Sequence, residues 1–143
     1  MSRSTGMLWH AALFGLLLTG SVHAGLAIIT HPDNPEPALT LNQVKRIYLA
    51  KTRTFPQGGT ARRADQAPDT PAYREFVSKV LGLREQRLNA YWSKMTFTGR
   101  GVRPDTVGDD SDVRQWILQH RDGLGYIDIG QVDEQVKVLL IVP

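Results

Sequence analysis

The sequence predicts an α/β domain in which a small mixed sheet is flanked by helices. Two observations carry this. Short apolar, β-branched runs stand at Leu26–Thr30 and Val136–Val142, and between them lie four segments with apolar residues at helical spacing. Strands alternating with helices bury their apolar faces by stacking helices on a sheet.

The elements can be taken in chain order. Leu26 to Thr30 is a buried strand ended by His31-Pro32, and Pro32, Pro35 and Pro37 with Asp33 and Asn34 force an extended, turning connection. Thr40 and Gln43 have capping-box spacing, so a helix begins there and runs towards Lys51, with Leu41, Val44, Ile47 and Tyr48 on one face. Phe55-Pro56 and Gly58-Gly59 mark a turn. A second helix is expected over Pro71–Leu81. Thr70 caps it, Pro71 takes the first position where a missing amide costs nothing, and Gly82 stops it. A third helix runs over Arg84–Lys94, placing Leu88, Tyr91, Trp92 and Met95 at helical spacing, and Thr98–Pro104 is loop. Asp110 or Ser111 caps a fourth helix through His120 that turns Val113, Trp116 and Ile117 inward. Gly125–Ile127 is a short strand. The continuous apolar run Val136–Val142 predicts a central strand covered on both faces.

Residues 1–24 read as an export signal. Arg3 gives a positive start, Ala11–Leu18 an apolar run interrupted only by Gly15, and Val22-His23-Ala24 a small-residue cleavage site. That run is shorter than the roughly 20 apolar residues that span a bilayer. The expected domain is therefore 25–143, exported to a periplasm. With no cysteine, it has no disulfide framework and stands on its apolar core. A formal net charge of +3, spread along the chain, gives no basis for nucleic-acid binding.

Four blocks in order resemble the phosphate-binding proteins of ABC transporters. Residues 25–51, GLAIITHPDNPEPALTLNQVKRIYLAK, are similar to that family's strand and helix at the crossover into its second lobe. Arg63-Ala64-Asp65 resembles its arginine-acidic-aspartate lead into a glycine-serine-glycine-threonine loop. VRQWILQHRDGLGY and VDEQVKVLLIV resemble its last helix, Gly-x-x-Gly-Tyr strand and closing strand. The resemblance implies a single lobe of a type II periplasmic-binding-protein-like fold, without counterpart to the family's first lobe. It also implies a phosphate or similar oxyanion as ligand, bound weakly because one lobe cannot close around it. An ABC transporter permease, or a sensor or other periplasmic protein, is the implied partner. The alternative is an interaction or sensory module that keeps the lobe and has lost the ligand.

The implied ligand positions are Arg63, Asp65 and Thr70. Arg74, one turn into the same helix, joins them on physical grounds, since a helix N-terminus favours negative charge and a guanidinium binds an oxyanion in bidentate fashion. Against this, the family's glycine-rich loop is replaced by Gln66-Ala67-Pro68-Asp69-Thr70-Pro71. Two prolines remove donors and Asp69 repels an anion. The competing reading is that Thr70 only caps its helix while Arg63 pairs with Asp65 or Asp69.

Other candidates read as structural. Gly123 and Gly125 fit a helix stop and a strand start, and Tyr91, Trp92 and Trp116 fit core packing. Lys94, Arg100 and Arg103 fit a solvated cluster. Asp105, Asp109, Asp110 and Asp112 lack calcium-loop spacing and fit the charged start of a helix. His31 and His120 have no metal-ligand spacing, and no cofactor is implied. No nucleophile elbow, P-loop or dinucleotide fingerprint is present, so the expectation is a binding protein rather than an enzyme.

Overall fold

The structure, a computed structural model, describes residues 25–143, so the export signal expected over 1–24 lies outside the described residues. Five strands and four helices alternate in the order β1 (Leu26–Thr30), α1 (Leu41–Tyr48), β2 (Arg62–Gln66), α2 (Pro71–Phe76), α3 (Glu85–Phe97), β3 (Asp105–Gly108), α4 (Asp110–Gln119), β4 (Gly123–Asp128) and β5 (Lys137–Val142). The strands form one mixed sheet ordered β3-β2-β4-β1-β5. β2 runs parallel to β3 and β4, while β1 runs antiparallel to β4 and β5. This is the expected α/β class. No helix among the described residues is long and apolar enough to cross a membrane.

The side-chain alternation of β1 builds two cores. Leu26 and Ile28 face a large cluster with Val44, Ile47 and Tyr48 of α1, Phe76 of α2, and Leu88 and Trp92 of α3. Ala27 and Ile29 face the opposite way, against Val113 and Ile117 of α4. The domain is thus three layers, with α1–α3 on one face of the sheet and α4 on the other.

Local signals hold where expected. Thr40 accepts from the Gln43 amide at 3.1 Å while the Gln43 side chain accepts from the Thr40 amide at 2.8 Å, closing the capping box. Thr70 caps α2 with Pro71 at its first position. The predicted helix over 71–81 is regular only to Phe76. Val77–Leu81 forms a wider π turn, which buries Val77, Val80 and Leu81 and ends at Gly82 with φ 64°.

Three expectations change. β5 is an edge strand, not a central one, and Ile141 is 44% exposed on it. Only Leu139 and Val142 of β5 are buried, so the run is not covered on both faces, and its place in the sheet is set by distant pairings. The continuously buried central strands are β1 and β4. The cap of α4 is Asp109 rather than Asp110 or Ser111, in a reciprocal box with Asp112. Asp110 instead accepts from Gln66 Nε2 at 2.7 Å and from the Asp128 amide at 3.1 Å. Gly123 and Gly125 both lie inside β4, where they let α4 approach. A Cβ at Gly125 would stand 2.7 Å from Val113 Cγ1, and one at Gly123 2.8 Å from the Trp116 ring.

Candidate functional site

β2 carries the arginine and aspartate of the predicted site, and its pairing with β4 decides how they sit. The two strands share only the pairs Arg62↔Gly123 and Arg63↔Leu124. Beyond that point side chains fill the seam. The Tyr48 hydroxyl donates between Ala64 O at 2.7 Å and Leu124 O at 3.1 Å, and Gln66 Nε2 donates to Tyr126 O at 3.0 Å. Phe76 stacks on Tyr126 with ring centroids 3.9 Å apart, and Tyr48 meets Phe76 edge-on.

Asp65 is held inside this cluster. One of its oxygens accepts from the Tyr126 hydroxyl and from the Gln66 amide, the latter at 2.9 Å. Burial pushes the carboxyl above the usual aspartate range, while the two hydrogen bonds and then the Arg103 and Arg63 charges pull it back. Burial and the Asp65 charge push the Tyr126 phenol well up, so it stays a donor.

Arg63 lies on the same face of β2, two residues earlier, over the Trp92 ring at 5.7 Å. Its guanidinium donates to Tyr48 O at 2.8 Å and to Val102 O at 2.5 Å. Burial lowers its pKa from the ordinary arginine value, with the Tyr48, Asp105 and Asp65 groups opposing. Arg63 makes no carboxylate ion pair within 4 Å among the described residues, contrary to the pairing with Asp65 or Asp69 that the competing reading supplies.

Arg63 also opens onto two adjoining grooves. One, of about 260 Å³, runs past Arg53 and Thr60. The other, of about 280 Å³, runs past Arg62, Arg103, Asp105 and Asp122. The loop 98–104 forms their outer wall through Val102, which is 73% exposed. Arg53, Arg62 and Arg103 were not singled out as companions of Arg63. The Arg62-Arg63 doublet was the available signal, but Arg53 and Arg103 arrive only through the tertiary fold.

Thr70 and Arg74 sit elsewhere. Thr70 Oγ1 donates to Ala67 O at 2.8 Å and accepts from the Tyr73 amide at 3.2 Å, and exposed Arg74 donates to Asp69 O at 3.3 Å. Thr70 lines a cleft of about 180 Å³ with Gln66, Asp109, Asp110 and Asp128. Three carboxylates make that cleft hostile to an oxyanion, whatever the α2 dipole contributes. A cleft of about 270 Å³ beside Arg46 and Phe55 lies apart from all four residues. Among the described residues no group of three His, Cys, Asp or Glu side chains is placed to hold a metal ion.

Comparison with solved structures places the fold. A protein from Clostridium perfringens described as a phosphate ABC transporter substrate-binding protein, solved with bound phosphate, superposes with a TM-score of 0.66 at 22% identity. It is matched over 81% of this chain and 44% of its own. An ABC-type phosphate transport receptor from Vibrio cholerae gives 0.64 at 22% identity, over 81% and 45%. PstS from Borrelia burgdorferi gives 0.61 at 13% identity, over 81% and 47%. The chain has the fold of part of these proteins. It spans less than half the length of each, in agreement with the single-lobe expectation. No family model matches the sequence, and no curated protein matches it.

Proposed function

We propose that this chain is a periplasmic solute-binding-type domain that takes phosphate or a similar oxyanion at the Arg63 end of β2. The observation that carries the reading is the state of Arg63. Its cation is partly desolvated, fixed by two backbone carbonyls and a tryptophan face, and without a carboxylate partner within 4 Å. An oxyanion in either groove supplies the missing counter-charge through charge-assisted hydrogen bonds. Half-buried Asp65 stands behind Arg63 and holds the seam, so its role is to position. Thr70 and Arg74 keep their capping and loop contacts, because the cleft at Thr70 is lined by aspartates. The shared fold supports the ligand class, since structural neighbours are described as phosphate receptors. On this lobe the ligand is open to solvent, and an ABC transporter permease or another periplasmic protein is the partner that would cover it.

Isothermal titration of the purified chain with phosphate and sulfate tests this. Weak heat at millimolar phosphate is expected. Arg63→Ala should weaken binding by about 1.5–3 kcal/mol, the size of a hydrogen bond to a charged group. Arg63→Lys, which keeps charge but loses the fork, should recover only part of it. Absence of heat and of any melting shift at millimolar phosphate would sink the proposal.

A further inference from the structure

The positive charge around Arg63 extends beyond what one small oxyanion uses. The two grooves share Thr60, Ala61, Arg63 and Val102 and so form one continuous trough. Arg53 serves one arm, Arg62 and Arg103 the other, and Arg63 both. None of the four has a carboxylate within 4 Å among the described residues. Their contacts are to neutral groups. Arg53 donates to Arg100 O at 3.4 Å, Arg103 to Asn89 Oδ1 at 3.0 Å, and Arg62 lies over the Trp116 ring at 6.0 Å. Each guanidinium carries five donors, so most of that capacity is unspent.

We propose that this trough binds a condensed phosphate, a ligand with several phosphoryl groups in series. The inference rests on the oxyanion reading of Arg63 and specifies its substrate class. A single phosphate engages one arm and leaves the guanidiniums of the other without a phosphoryl partner. A chain of phosphoryl groups meets guanidiniums in both arms, each able to bind bidentately. Asp105 and Asp122 line the Arg62 arm and partly offset its arginines, whereas no carboxylate lines the Arg53 arm. An acidic peptide fits less well on the trough floor, because the backbone donors there are already spent. The Ala61 amide already donates to Arg53 O at 2.9 Å and the Arg62 amide to Asp122 O at 2.8 Å. Recognition falls to side chains, which suits a ligand with no backbone of its own.

The test is calorimetric titration of the full chain with orthophosphate, tripolyphosphate and a penta-glutamate peptide at several salt concentrations. Tripolyphosphate should bind at least tenfold more tightly than orthophosphate, with the steeper salt dependence of a multiply charged ligand. In an Arg62→Gln/Arg103→Gln variant that ratio should fall towards one. Arg87→Gln, on the exposed side of α3, should leave the ratio as it is, and melting curves confirm that both variants fold. Equal affinities for orthophosphate and tripolyphosphate would overturn the condensed-phosphate assignment and leave the Arg63 oxyanion site standing. Loss of binding to both would overturn both. Penta-glutamate binding as tightly as tripolyphosphate would make the trough a docking surface for acidic protein instead.

Discussion

Tyr126→Phe isolates the hydroxyl on which the seam between β2 and β4 depends. The substitution keeps the ring, its stack on Phe76 and its place in the core, so cavity effects are small. What goes is one hydroxyl that donates to Asp65 and accepts from the Gln66 amide at 3.2 Å. A hydrogen bond to a charged group contributes about 1.5–3 kcal/mol, and leaving a buried amide unbonded would add to that. Because the Gln66 amide keeps its bond to Asp65, the expected loss stays at about 1.5–3 kcal/mol. At about 4 °C per kcal/mol for a domain of this size, that is a melting shift of roughly 6–12 °C. Urea denaturation gives the free energy directly. The loss should also depend on pH. The Tyr126 bond lowers the pKa of Asp65, so removing it raises the folded-state value further above the unfolded one. The deficit is therefore larger above the folded-state pKa than below it, and shrinks in acid as the carboxyl becomes protonated in both variants. A loss under about 1 kcal/mol, or one independent of pH, would refute the claim that this hydroxyl supports a half-buried carboxylate.

Two more outcomes follow from the same geometry. Burial holds the Asp65 pKa above its unfolded value, so its contribution to stability falls as pH rises from the unfolded pKa through the folded one. Asp65→Asn should remove that decline, and denaturation from acid to neutral pH shows it as a flatter profile. Gly125→Val places a side chain whose first atom is 2.7 Å from Val113 Cγ1, so α4 must move and stability should drop by about 1–3 kcal/mol in urea titration.

Much of the fold was legible where one stretch of chain decides its own state. The Thr40–Gln43 box, the Thr70-Pro71 start and the Gly82 stop are local devices, and each stands where the sequence put it. β3 was not read as a strand because Asp105–Gly108 is short, polar and at the sheet edge, with no apolar face to betray it. The α4 cap moved by one residue because Asp109 and Asp110 are chemically equivalent in sequence. Only the fold reveals that Asp110 is claimed by Gln66 and Asp128. The position of β5 depends on its pairing with β1, more than a hundred residues away in the chain. The candidate site was half legible for the same reason. Arg63 and Asp65 were found on one strand face, but Thr70 is parted from Arg63 by the cleft each one lines, and the other arginines converge only in three dimensions.

The two-pair seam between β2 and β4 has a consequence for how the domain breathes. A continuous ladder opens only when many backbone bonds are lost together, whereas this junction is carried largely by three side chains, Tyr48, Gln66 and Tyr126. The β2–β3 flank is therefore joined to β4 more by side chains than by backbone pairing, unlike the longer ladders of β1 with β4 and β5. Because the arginine trough is built on that flank, an anion bound there selects the docked form and slows the opening of a region the rest of the sheet holds only lightly.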